Sequence, residues 1–237
     1  MNKLLKYVLI IYVSGVTGCT ALNNSSKYNF ADGYYYSRLN NKKTARYYVV
    51  TGSDSIKVYP ASINRQIADT VKSVTLLFPP HEKPSAFSDY SFKTQSFDLD
   101  VLSILFKYRP AVEGFPPQLN VNFNGALYMG YRKDIYDLSY KENPLHTQVR
   151  NITHYAYSIG GFAGLGMARI DEYVTLNGIN YEYDGAVLTG GLAAILGFNR
   201  FNFGVTGGID YLGDKNMHLW VNQTKPWVGI SISLNLN

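Results

Sequence analysis

The sequence predicts an all-β chain: a small antiparallel outer-membrane β-barrel of eight strands, preceded by a short N-terminal β-module. Three observations lead there. From Gln118 onward, apolar residues alternate with small or polar ones over long stretches, and a period of two is a strand signal. The non-apolar face is mostly Gly, Ala, Ser, Thr and Asn, with almost no lysine. A soluble sandwich would turn a polar, charged face to water, whereas small residues suit the crowded interior of a narrow barrel whose apolar face meets lipid. Finally, a charged fraction of 16% accompanies 15% aromatics and 21 glycines, a balance that fits a β-rich, membrane-facing chain rather than a disordered one.

The N-terminus carries its own signal. Lys3 and Lys6 precede a short apolar run over 7–16, followed by Val16-Thr17-Gly18-Cys19. The run is too short to cross a bilayer and reads as a secretion signal. The residues before Cys19 resemble the lipobox of bacterial lipoproteins, which implies cleavage after residue 18 and acylation of Cys19. As the single cysteine of the chain, it has no internal disulfide partner; an ordinary signal with a chance cysteine is the competing reading. Residues 1–18 are therefore expected to be a lipoprotein signal peptide and 19–32 a lipidated tether. Loss of the two lysines of the signal lowers the formal charge from +5 to +3. That charge is small and dispersed, which argues against a nucleic-acid partner.

Residues 33–95 predict a small β-meander module and connector. Short β-type runs at 34–36, 47–50 and 55–59 are separated by turn residues Asn40-Asn41 and Gly52-Ser53-Asp54. A helical turn is expected over 62–70, then an apolar run over 74–78 stopped by Pro79-Pro80.

The barrel is expected over 96–237. In 97–109, Phe97, Leu99, Val101 and Leu105 alternate with Asp98 and Asp100, but the pattern blurs where Leu102, Ile104 and Phe106 take the other face. The cleanest run sets Leu119, Val121, Phe123, Leu127, Met129 and Tyr131 against Asn120, Asn122, Asn124, Tyr128 and Arg132. Further strands are expected over 153–169, 185–198, 201–211 and 228–236. With the last strand ending in the periplasm, Tyr131, Tyr155, Tyr157, Phe198, Phe201 and Phe203 all fall outward at the periplasmic end, as an aromatic girdle would. Residues 133–152 then become a periplasmic connection. Six strands are visible; two more must come from upstream, from 71–78 and part of 86–96, or from the meander.

The residues Phe106-Lys107-Tyr108-Arg109-Pro110, Asn122-Phe123-Asn124-Gly125, Ile152-Thr153-His154-Tyr155 and Lys225-Pro226-Trp227 give 97–237 a further meaning. This half resembles the small lipid-anchored outer-membrane β-barrel proteins of Bacteroidota, a largely uncharacterised family. The resemblance implies the outer membrane and a barrel fold; it implies no particular activity.

Chemistry is sparse. An eight-stranded barrel is just wide enough for side chains to fill it, so no open pore is expected. Pairing of neighbouring strands would gather Asp98, Asp100, Arg132 and His154 into an interior ion-pair cluster, structural in role, because buried charges need partners. His154 and Ser158 superficially match the pair of small lipid A deacylase barrels. Both, however, are expected inward, four apart, and no acid is placed to orient the imidazole. Four scattered histidines and one lipidated cysteine offer no metal site, and the glycines of 160–166 sit inside a strand with no helix after it, unlike a nucleotide loop. No catalytic residue, cofactor or metal is expected. Tyr173, Tyr181, Tyr183, Trp220 and Trp227 are placed in outer loops, as contact residues for a protein partner or as interface anchors. The expected function is a non-enzymatic, lipid-anchored accessory or structural subunit of an outer-membrane assembly for secretion or barrel insertion. Its partners would be membrane lipids and other outer-membrane proteins. A deacylase-like barrel and a soluble β-sandwich lipoprotein are the alternatives.

Overall fold

The computed structural model describes residues 29–39, 43–52, 55–62, 68–77, 90–112, 114–142, 144–146, 148–199 and 201–236. The signal peptide, Cys19, the Asn40-Asn41 turn, Ser53-Asp54, most of the helical turn expected over 62–70, and His81 lie outside them. Eleven strands follow one another: β1 (Gly33–Ser37), β2 (Ala45–Thr51), β3 (Ser55–Pro60), β4 (Val74–Leu77), β5 (Tyr90–Arg109), β6 (Gln118–Asn120), β7 (Asn124–Glu142), β8 (Gln148–Ile170), β9 (Tyr183–Phe198), β10 (Phe201–Leu212) and β11 (Pro226–Asn235). No helix occurs among the described residues, and their strands pair antiparallel. The chain divides into two compact units, Met1–Thr94 with Asp134–His154, and Gln95–Lys133 with Tyr155–Asn237.

The first unit is built on the meander read from the sequence. β1, β2, β3 and β4 pair in succession, and β1 also pairs with the start of β5 through Tyr36↔Lys93 and Ser37↔Phe92. Strand alternation turns Tyr35, Val49, Ile56, Val58 and Phe92 to one side, where they are buried with Phe30, Tyr136 and Leu138. Phe30, Tyr35, Phe92 and Tyr136 form an aromatic cluster, with ring centroids 5.1–6.2 Å apart. Tyr35 donates its hydroxyl to the Ala31 carbonyl at 2.8 Å; burial pushes its phenol well above the usual range.

One expectation is corrected here. Residues 133–152 are not a long connection: β7 and β8 run on through them, so that 134–142 and 148–152 are strand. Lys133, Asp137 and Lys141 fall on the odd-numbered side of this stretch. The period of two persists, and Asp134, Tyr136 and Leu138 stay buried on the even-numbered side.

In the second unit the pairings run β5–β7–β8–β9–β10–β11 and return from β11 to β5, so six described strands trace a ring. The two extra strands expected from upstream are not in this path; residues 74–77 of the expected run form β4 and the meander strands pair among themselves and with the start of β5. Register is continuous from Tyr155↔Phe198 to Ile170↔Tyr183 and from Phe201↔Phe198 to Leu212↔Val187. Glycines permit the close strand approach: a Cβ on Gly160 would strike the Met129 carbonyl, and one on Gly191 the Gly207 carbonyl. The strand expected over 119–132 is in fact two, β6 and β7, with 121–123 between them. There the Asn124 amide donates to the Asn122 carbonyl at 2.7 Å, a local side-chain bond of the kind that competes with a strand ladder.

The blurred pattern in β5 also has a cause. Against β11, Ile230 faces Phe106 while Ser231 faces Ile104, so Leu105 is an extra residue, a β-bulge. Asp98, Asp100, Leu102 and Ile104 are buried before it, and Lys107 and Arg109 after it. The inward set thus switches from even to odd numbers.

Candidate functional site

The ring's two faces differ in the reverse of the soluble order. Leu188, Leu192 and Leu196 of β9, Val205 and Ile209 of β10, and Val228, Ile230, Ile232 and Leu234 of β11 are exposed, Leu192 by 72% and Leu234 by 74%. Between them Thr189, Thr206, Asp210, Ser231 and Ser233 are buried. Tyr131, Tyr155, Tyr157, Phe198, Phe201 and Phe203 are all on the exposed face. Tyr155 and Phe201 both stand opposite Phe198, and Tyr157 and Phe203 both stand opposite Leu196, so these five aromatics lie in one band of β8, β9 and β10.

The four residues of the expected interior cluster, Asp98, Asp100, Arg132 and His154, are all buried. Asp98, Asp100 and Arg132 are buried in the second unit, and Arg132 Nη1 lies 3.8 Å from Asp98 Oδ1. His154 belongs to the first unit, where its Nε2 lies 2.7 Å from Asp134 Oδ1 and its ring stacks on Tyr136 with centroids 4.3 Å apart. An acid therefore does stand beside the imidazole, contrary to expectation. The expected 133–152 connection contains Asp134, which in the structure takes the buried position next after Arg132 on β7. Ser158 shares a hydrogen bond with the Tyr128 hydroxyl at 2.7 Å.

A second buried cluster was not anticipated. Lys107 Nζ donates to both oxygens of Asp210, at 2.8 and 2.9 Å, and lies 3.2 Å from Thr189 Oγ1. Arg109 Nη2 donates to Asp210 Oδ2, and Trp227 Nε1 to Oδ1 at 3.0 Å. Arg109 Nε reaches Asn120 Oδ1 at 3.1 Å. The Lys107 ammonium sits 4.4 Å from the Trp227 ring centroid and the Arg109 guanidinium 5.2 Å from that of Trp220, within reach of cation–π attraction. The bulge hid this cluster, because without it Lys107 and Arg109 count as outward. The usable signal is Asp210, an acid that follows the small residues Gly204, Thr206 and Gly208 on the inward side of β10.

The two tryptophans are likewise corrected. Trp227 is inward on β11, and Trp220 is buried against Phe115, Ile170, Val174 and Leu212. The segments around them fold back rather than stand free: Asn222 donates to Gln118 Oε1 at 2.7 Å, and Asn216 to the Tyr181 and Tyr183 hydroxyls at 3.1 and 2.9 Å. Tyr173 and Tyr181 remain exposed, beside a groove of about 320 Å³ lined also by Asp171, Glu172 and Glu182. Among the described residues no group of acids, histidines or cysteines is arranged to hold a metal ion.

No protein-family model, curated protein or solved structure matches this chain.

Proposed function

We propose that the second unit is a small outer-membrane β-barrel, anchored in addition through an acylated Cys19, and that the protein is a non-enzymatic accessory or structural subunit of an outer-membrane assembly for secretion or barrel insertion. The observation that carries the reading is the exposed apolar face of β9, β10 and β11, alternating residue by residue with a buried small or polar face. Contiguous exposed apolar surface on this scale marks contact with something other than water. The length agrees: the 12 residues of β10 span about 40 Å at about 3.3 Å each. Tilted by about 45°, that is about 28 Å of thickness, close to the hydrocarbon core.

The barrel proposed is built on six described strands rather than the eight expected, below the smallest number familiar for outer-membrane barrels. A ring this narrow needs an interior of glycines and filled side chains, and Gly160, Gly191, Tyr128, Phe162 and Trp227 supply one. Such an interior supports a structural or accessory role over a channel. A deacylase-like reading requires a nucleophile and base facing lipid, whereas His154 and Ser158 are both buried and Ser158 is engaged by Tyr128. A soluble sandwich lipoprotein would leave the exposed apolar face in water.

Native affinity purification from detergent-solubilised outer membranes tests the subunit reading. Stoichiometric co-purification with large barrels is the expected result; a lone monomer would overturn it. Unchanged lipid A acylation in a His154→Ala Ser158→Ala strain is the corresponding expectation against an enzyme.

A further inference from the structure

The meander of the first unit buries one face of its sheet, and the other face is aromatic and basic. Residues opposite one another in register share a face, so Tyr34 and Tyr36 of β1 lie with Arg46 and Tyr48 of β2 and with Lys57 and Tyr59 of β3. Lys93, opposite Tyr36 at the start of β5, extends this face. Tyr34, Tyr48 and Tyr59 stand in one row across the three strands, about 10 Å wide at about 4.8 Å per strand. Arg46, Tyr36 and Lys93 make the next row. Tyr36, Lys57 and Lys93 are exposed, and Tyr34, Arg46, Tyr48 and Tyr59 are half-buried.

On β1, β2, β3 and at the start of β5 this face carries three cations and no acid. Asp32, just ahead of β1, is engaged at the end of β2, where it accepts from the Thr51 N–H and hydroxyl at 2.7 and 2.8 Å. The Arg46 guanidinium lies 4.3 Å from the Tyr34 ring centroid, and its Nη1 donates to the Ser62 carbonyl at 3.3 Å, so its charge is fixed on the face. Tyr34 meets Tyr48 at 62°, with centroids 4.9 Å apart. The row is therefore not a set of parallel ring faces, and one ring is already covered by a guanidinium. Nucleic-acid bases are held on aromatic faces, and sugar rings need the same presentation.

We infer that this face lies on an anionic lipid surface, with its tyrosines at headgroup level and Arg46, Lys57 and Lys93 against the lipid phosphates. Tyrosine is a residue of the membrane–water interface. Each basic side chain near an anionic leaflet adds about fivefold to the attraction, and it needs a plane of negative charge rather than a stacking partner. Proximity supports the same occupant, an argument that rests on the lipid-anchor reading. Cys19 stands fourteen residues before Gly33, a length that reaches about 50 Å at most. A surface held that near is met at high effective concentration, so weak contacts suffice. The contact orients the first unit at the membrane; attachment is already provided.

The test reconstitutes the full chain into vesicles of phosphatidylcholine, alone or mixed with phosphatidylglycerol. Acetylation of Lys57 and Lys93 is followed by mass spectrometry against Lys72, an exposed lysine ahead of β4. Lys57 and Lys93 are expected to react at least about fivefold more slowly on the anionic vesicles. Lys72 is expected to react at the same rate on both, and added salt to abolish the difference. Lys57→Gln replaces an exposed side chain, and it is expected to raise the reactivity of Lys93 on the anionic vesicles, because the cations act together on one plane. Flotation with the phosphatidylcholine vesicles tests the barrel reading on its own. A chain that stays in solution is added to both kinds of vesicle from outside, so either reading can fail without the other. Four results would each overturn the inference: equal rates on both vesicles, Lys72 slowed as much as the pair, Lys57→Gln without effect on Lys93, or a soluble anionic polysaccharide slowing the pair on neutral vesicles as much as the anionic lipid does.

Discussion

Leu192→Arg separates a lipid-facing surface from a wet one by magnitude. Leu192 stands mid-strand in β9, opposite Gly161 on β8 and Gly207 on β10, and is 72% exposed. Phe198, in the aromatic row, is six residues further along β9, which is about 20 Å of strand and about 14 Å of depth at a tilt of about 45°. That depth is half a hydrocarbon core, so Leu192 would sit near the midplane. In water an exposed Leu→Arg change falls within about 0.5 kcal/mol; at a bilayer midplane it costs about 2–4 kcal/mol, and near the interface only about 0–1. Urea unfolding of the protein in lipid vesicles, followed through the buried tryptophans, measures the difference. Leu192→Arg is expected to lose about 2–4 kcal/mol and Phe201→Arg, at the aromatic row, much less. Equal losses at the two sites, or a Leu192→Arg protein within about 0.5 kcal/mol of the parent, would refute the lipid-facing assignment.

Three other outcomes are expected. Asp210→Ala strands Lys107 and Arg109 without their counter-charge and should cost about 3–5 kcal/mol by the same assay, whereas replacing all three by apolar residues should recover most of it. Gly191→Ala forces a methyl against the Gly207 carbonyl and Gly208 Cα; backbone cannot step aside as a side chain can, so a loss of about 1–3 kcal/mol is expected, visible as a lowered urea midpoint. Tyr35 supplies a pH dependence. Its folded-state phenol titrates above the unfolded one because it is buried. The folded chain therefore holds its proton longer, and the stability is fully present below the unfolded value of about pH 10 and lost as pH rises through the folded value. Tyr35→Phe should flatten that alkaline loss, measured by denaturant midpoints from pH 9 upward.

What was legible in the sequence was whatever the period of two could carry without interruption. β9, β10 and β11 were placed within two residues of their ends because their alternation is unbroken and their faces chemically distinct. β5 and β7 were harder for two separate physical reasons. A single inserted residue at Leu105 inverts the faces, so one reading frame cannot describe both halves and Lys107 and Arg109 fall on the wrong side. In β7 beyond Lys133, Asp134, Tyr136 and Leu138 keep the buried side, but the period is carried by too few apolar residues to stand out in the sequence. Asp134, the partner of His154, lies in this stretch. The tryptophans were misplaced because a bulky aromatic near a strand end can anchor an interface or fill an interior, and only the packing of Phe115, Val174 and Leu212 around Trp220 decides between them.

The bulge also explains how the interior of the second unit is organised. On β5 the inward order is Asp98, Asp100, Leu102, Ile104, then Lys107 and Arg109: acids, an apolar pair, cations. Leu102 and Ile104 are buried with Ala126, Tyr128, Phe162, Ala193, Ile195 and Trp227, and these apolar side chains fill the layer between the charges. An ion travelling along the ring axis would leave a polar layer and meet dry, packed side chains with no compensating partner, a transfer that is steeply unfavourable. Neutralising the charges would not open a path, because the obstacle is packing. Of the two polar layers, the acidic one sets Asp98 against Arg132, with Asp100 buried beside Asp98 on β5, and the basic one sets Lys107 and Arg109 on Asp210. Each charged layer thus contains its own opposite charge, and the apolar layer between them keeps the two sets apart.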